Sequence, residues 1–95
     1  MIIVSGWLRV DAAQRDVYLA SCLPVIETAR RTEGCRDFHL AADPLEPERI
    51  NVFERWDTAE AVESFRGSGP EAGQQEMVID SHVEQHEIAS TVSLT

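Results

Sequence analysis

From Ile2 to Val10 the apolar residues fall on both alternating faces, with Ile2, Val4, Leu8 and Val10 on one side and Ile3 and Trp7 beside Ser5 and Arg9 on the other. A period of two predicts a strand, here one with apolar groups on each surface. Asp11 offers a side-chain acceptor to the free amides of a helix start, and Gln14 stands three residues on, as in a capping box. The helix is expected from Ala12 to about Arg31, with Leu19, Cys22, Leu23, Ile26 and Ala29 as its apolar stripe and Gln14, Ser21 and Thr28 opposite. Pro24 removes one amide and crowds the carbonyl of Ala20, which predicts a kink rather than a break. Arg30 and Arg31 suit the negative end of the helix dipole, and Gly34 suits the exit.

Alternation resumes over Cys35 to Ala42, with Phe38, Leu40 and Ala42 against Asp37, His39 and Ala41. The DPLEPE segment then ends the strand, because its two prolines do not fit a sheet interior. Arg49 to Trp56 is the next strand, and the short loop makes an antiparallel hairpin the simplest link. Asp57 followed by Glu60 reads as a second capping box opening a short helix through Phe65, stopped by GSGP. Glu71 to about Ile79 predicts another turn or two of helix, and Val83 to Ala89 a last strand. Strand, helix, strand, strand, helix, strand folds into a four-stranded antiparallel sheet with helices on one face, the ferredoxin-like α+β arrangement. Because the strands are apolar on both sides, Ile3, Trp7 and Ile88 stay uncovered in a single copy, which predicts a homodimer packed through the sheet faces.

The 95 residues suit one domain over the whole chain, residues 1–95. With 17 acidic against 8 basic residues the net charge is -9, so nucleic acid and anionic membrane surfaces are not expected partners. All the basic residues are Arg, which excludes lysine Schiff-base chemistry and leaves any essential cation to a guanidinium. Cys22 and Cys35 match no zinc or redox spacing and are expected as buried free thiols. MIIVSGWLRV lacks a basic stretch followed by a long apolar one, so a signal peptide is not predicted and the cytoplasm is the expected location. No apolar run is long enough for a membrane span.

The stretch PERINVFERWDTAEAVESFR, preceded by FHLAADP, resembles the antibiotic biosynthesis monooxygenase family in element order and length from end to end. The resemblance implies a dimeric α+β barrel of two ferredoxin-like domains, with a pocket between helices and sheet in each subunit. It also implies functions that range over oxygenases converting phenols or hydroquinones to quinones without metal or flavin, haem-degrading enzymes and proteins acting on a signalling molecule. The family's most recognisable feature, Glu54-x-Trp56, is present. Where the cofactor-free oxygenases carry an asparagine four residues before that Trp, this chain has Val52, and the adjacent Asn51 falls on the opposite face of a strand. The helix histidine of those enzymes is replaced by the run Glu63-Ser64-Phe65-Arg66. The haem branch needs an asparagine on the first strand and a histidine after the second helix. The first strand has none, and His82 and His86 come too late, so haem is not expected.

Three residues are candidates for chemistry. His39 suits a general base near neutral pH or a donor to a phenolate, or else a sheet-face residue bonded to a neighbour. Trp56 suits a stacking wall for a flat ring, with one N–H handle, and equally a core tryptophan. Asn51 suits a carbonyl binder or a polar residue of the sheet face. Phe38, Leu40, Val52, Phe53, Glu54 and Phe65 are the candidate pocket around them, and Glu54 suits a bond to an amide or an Arg as well as catalysis. Arg66 is read as solvated surface or as a holder of an anionic substrate. On a strand, His82 and His86 would stand about 13 Å apart, too far for one ion, so no metal is expected. No nucleotide motif occurs, and no cofactor is predicted. The expected function is a cofactor-independent monooxygenase oxidising a small phenolic or quinol-type substrate, a chemistry in which the deprotonated substrate itself reduces oxygen. The alternative is a non-catalytic dimeric module that binds a small hydrophobic or aromatic molecule or serves oligomerisation.

Overall fold

The computed structural model describes residues 1–67 and 76–95. Strand β1 (Ile2–Val10) leads through a short 3-10 turn (Ala12–Gln14) into helix α1 (Arg15–Arg31). Strands β2 (Cys35–Ala42) and β3 (Arg49–Trp56), helix α2 (Ala59–Arg66) and strand β4 (Val78–Glu87) follow. The sheet order is β2-β3-β1-β4 with all neighbours antiparallel, the ferredoxin-like topology.

Local chemistry shifts some boundaries. The Asp11 carboxylate accepts from the amide of Ala13 at 2.9 Å, which tightens residues 12–14 into the 3-10 turn and delays the α-helix to Arg15. Gln14 makes no side-chain cap bond, so the expected capping box does not close. Helix α1 runs through Pro24 without a break. It buries Tyr18, Cys22 and Ala29, while Leu23 is 58% exposed, because the buried stripe at 18, 22, 25, 26 and 29 leaves the next position turned outward.

The cap of α2 is Thr58 rather than Asp57: the Thr58 hydroxyl accepts from the Ala61 amide, and Asp57 is taken by an ion pair with Arg36. Strand β4 begins at Val78 and ends at Glu87, so both His82 and His86 lie inside it. Among the described residues, the expected helical turns are helical at residues 76–77, and residues 78–79 already belong to the strand. Their first part, over residues 71–75, lies outside the described residues, as do Ser68 and the rest of the GSGP stop beyond Gly67.

Both helices cover one face of the sheet. Ile2, Val4, Ala29, Phe38, Trp56 and Val62 form one buried cluster, and Val10, Tyr18, Cys22 and Ile50 a second, with Ile26 and Leu40 touching both. Burying each large apolar side chain contributes about 1.5–3 kcal/mol, enough to fix which face of each strand turns inward. Gly6 lies between Val4 and Leu8 at φ +152°, and a Cβ there would collide with the His82 carbonyl, so only glycine lets β4 close on β1. Gly34, at φ +90°, lets Ala61 of α2 come against the turn after α1, and its carbonyl accepts from the Asp57 amide at 2.8 Å. Arg15 ties α1 to the β2–β3 loop by donating to the carbonyls of Asp43, Glu46 and Arg49. Among the described residues, no helix is long and apolar enough to cross a membrane.

Candidate functional site

Alternation along β3 decides the site. Ile50, Val52, Glu54 and Trp56 are buried under the helices, and Arg49, Asn51, Phe53 and Arg55 point the other way. Glu54 is the one buried acidic residue among those described, at 1% exposure, opposite Val4 on β1 and Phe38 on β2. Its Oε1 accepts from Trp56 Nε1 at 3.0 Å, and its Oε2 accepts from the Arg66 guanidinium at 2.7 Å. Arg66 comes from the last turn of α2 and keeps about half of its side chain in solvent, whereas the Glu54 side chain is 2% exposed. Burial pushes the Glu54 carboxyl above its ordinary value, with Arg66 and the indole N–H opposing.

Aromatic rings close the site. Phe65 packs edge-on to Phe38 with centroids 5.5 Å apart and tilted on Trp56 at 5.4 Å, both within the range of favourable ring pairs. Cys35 is partly buried against the same cluster, and burial, with the charges of Glu54 and Asp37, raises its thiol pKa. Cys22, buried on the sheet-facing side of α1, is not in a disulfide, and burial raises its thiol pKa against the lowering effect of hydrogen bonds with Tyr18 and Ser21.

The expected pocket is thus divided by the sheet. Phe38, Leu40, Val52, Glu54, Trp56 and Phe65 share the helix side, while His39, Asn51 and Phe53 stand on the open face, because odd and even positions of a strand point apart. A base at His39 and a wall at Trp56 therefore do not meet within one chain. His39 is about half exposed, 3.7 Å from the Asp37 carboxylate and 3.4 Å from Arg30, with its ring tilted against Phe53. Asn51 donates to Asp43 at 2.8 Å and accepts from Arg49 Nε at 2.7 Å, so both ends of its amide fasten the β2–β3 loop. That bond, with the Glu46 and Leu45 amides, holds the Asp43 carboxyl down at about 2.

The same open face carries Trp7 stacked on His82 at 6.2 Å with Arg49 over its ring, and the exposed pair His82–Glu84. No group of three metal-ligating side chains converges among the described residues. Arg66, expected as solvated surface or as a holder of an anionic substrate, keeps half of its side chain in solvent and also pairs with Glu54, a partner the sequence reading did not name. Its signal was present, since it stands four residues after Val62 and so shares the helix face that α2 turns to the sheet.

These features can be set beside known proteins. The family model for antibiotic biosynthesis monooxygenase matches residues 1–83. The chain belongs to that family. A solved structure of a candidate antibiotic biosynthesis monooxygenase from Deinococcus radiodurans is similar over 100% of this chain and 99% of its own, with a TM-score of 0.81 at 17% identity. A second candidate of the same kind, from Chloroflexus aurantiacus J-10-fl, is similar over 99% of this chain and 98% of its own, with a TM-score of 0.76 at 22% identity. A Mycobacterium tuberculosis structure covers 97% of this chain and 98% of its own, with a TM-score of 0.79 at 20% identity. Identities this low carry the fold alone. No match is found among curated proteins.

Proposed function

We propose that the protein is a monooxygenase that oxidises a small phenolic or quinol-type aromatic substrate with dioxygen and needs neither metal nor flavin. The observation that carries this reading is the buried Glu54 carboxylate, hydrogen-bonded to Trp56 and paired with Arg66 in a cluster walled by Phe38 and Phe65. A flat ring is bound by aromatic walls, its hydroxyl finds polar partners in a dry environment, and the anion formed from it supplies the electrons. For a simple phenol the balance is one phenol plus one O2 giving one para-quinone plus one water. In this reading the helix side is the chemical side, and His39, Asn51 and Phe53 belong to the face through which two copies pair.

Pairing through the open faces is part of the proposal. Ile3, Trp7 and Phe53 lie on a surface that no helix covers among the described residues, with Phe53 38% exposed. An apolar face of this kind suits a twofold, self-complementary interface. The test of the reading is oxygen uptake with a panel of phenols and hydroquinones, together with identification of the quinone by mass. Turnover of one member, with one O2 consumed per quinone and one atom of that O2 found in the quinone by mass, supports it. Binding of such rings with no uptake supports the alternative, a non-catalytic module for small aromatic molecules, which the buried apolar Val52, standing where the cofactor-free oxygenases carry an asparagine, favours.

A further inference from the structure

Pairing with Arg66 offsets only part of the cost of burying the Glu54 carboxylate, since the guanidinium stays half in solvent while the carboxylate lies out of water, and an apolar side chain of similar volume would hold α2 as well or better. Glu54 also has spare capacity. A carboxylate offers about four lone-pair positions, of which the Trp56 indole and Arg66 occupy one on each oxygen. Around it stand Val4 from β1, Phe38 from β2, and Phe65, which packs on Trp56 from the last turn of α2.

Among the described residues, the groups with charge or a titrating proton that face it are Arg66 from α2 and the Cys35 thiol from β2. Helix α1 brings Val25, Ile26 and Ala29 to the cluster, and its Arg30 is turned to the Phe38 carbonyl and His39. At the end of α2, Arg66 is half exposed and Phe65 is only partly buried.

We propose that Glu54 is the proton acceptor of this site, taking the hydroxyl proton of a phenol or quinol that binds against Trp56 in the place Phe65 now occupies. The inference rests on the reading of the helix side as the substrate side. In the step, the substrate O–H bond breaks, the proton passes to a Glu54 carboxylate oxygen, and the electron pair stays on the phenolate oxygen. The negative charge moves from carboxylate to phenolate within reach of Arg66, so the guanidinium stays paired throughout. Burial raises the affinity of Glu54 for the proton, narrowing the gap to a phenol, whose ordinary value is near that of tyrosine, about 10. His39, on the opposite face, has no route to that hydroxyl within the same chain.

The test uses the wild-type protein, Glu54→Gln and Glu54→Asp. Under anaerobic conditions 1-naphthol is titrated in, and naphtholate absorption and the carboxylic-acid carbonyl stretch are followed. Oxygen uptake with 1,4-naphthohydroquinone is then measured across pH. The expected result is bound naphtholate with a new carboxylic-acid band in the wild type and neutral naphthol in Glu54→Gln, whose kcat/KM falls about 100-fold and loses its acid limb. Glu54→Asp keeps the limb at a reduced rate, and if Glu54→Gln does not fold this variant decides alone. The role is overturned if Glu54→Gln binds naphtholate and keeps the wild-type pH profile, or if Glu54→Asp changes neither rate nor limb; the substrate reading then survives. If the wild type neither binds 1-naphthol nor consumes oxygen, the substrate reading falls and takes this role with it.

Discussion

The two tryptophans sit on opposite sides of one sheet and show what each side is built for. Trp56 is fully buried, its indole N–H donates to Glu54, and its ring meets Phe65. Trp7 lies partly open, flat against His82 and under Arg49. The ion pairs divide in the same way. Glu54–Arg66 has one partner wholly out of water, whereas Asp37–Arg55 keeps over a third of each side chain in solvent. One face holds its polar groups inside the chain, and the other holds them in a shallow layer open to solvent.

Substitutions should break this contrast unevenly. Trp56→Ala is expected to cost about 3–5 kcal/mol by cavity formation and by stranding the Glu54 oxygen, while Trp7→Ala costs under about 1 kcal/mol, both read from urea unfolding at one protein concentration. Arg66→Met leaves a buried carboxylate with a single donor and is expected to cost about 2 kcal/mol, reduced from a fully buried pair because Arg66 is half in solvent. Arg55→Met, at an exposed pair, should stay below about 1 kcal/mol. Phe53→Glu is expected to leave the fold within about 0.5 kcal/mol but to turn dimer into monomer in sedimentation velocity. An unchanged dimer would remove the open face from the assembly proposal.

Acid titration separates the faces by sign. Asp43 and Asp37 have carboxyls held below their ordinary values, so they add stability above about pH 4 that is lost as pH falls, for Asp43 toward about 2. Glu54 is raised, so its contribution runs the other way: it is present below the ordinary glutamate range and lost as pH rises through its folded value. Asp43→Asn should therefore flatten the acid loss in a urea midpoint series, and Glu54→Gln should steepen it.

Much of the architecture was legible because strand alternation is a hard constraint. The parity of Val52, Glu54 and Trp56 against Asn51, Phe53 and Arg55 already sorted β3 into two faces, and the same parity put Phe38 inward and His39 outward. The pocket drawn around both His39 and Trp56 ignored that sorting. Contacts between elements were harder to see. Arg66 shares the face of α2 that meets the sheet, but nothing local names Glu54, a strand residue twelve positions earlier, as its partner, and the choice of Thr58 over Asp57 as cap turned on Arg36 engaging Asp57. The early start of β4 was hidden because Asp80, Ser81 and His82 lack the apolar pattern of a covered strand, as an edge strand exposed on both faces allows.

The most direct test of the division between a chemical face and an assembly face is oxygen uptake with 1,4-naphthohydroquinone by Trp56→Phe and His39→Ala. The account predicts a loss of at least tenfold in kcat/KM for Trp56→Phe, which keeps the ring but removes the indole donor to Glu54, and a rate within about twofold of wild type for His39→Ala. The reverse pattern, activity lost with His39 and kept with the altered Trp56, would contradict it and move the chemistry to the open face of the sheet.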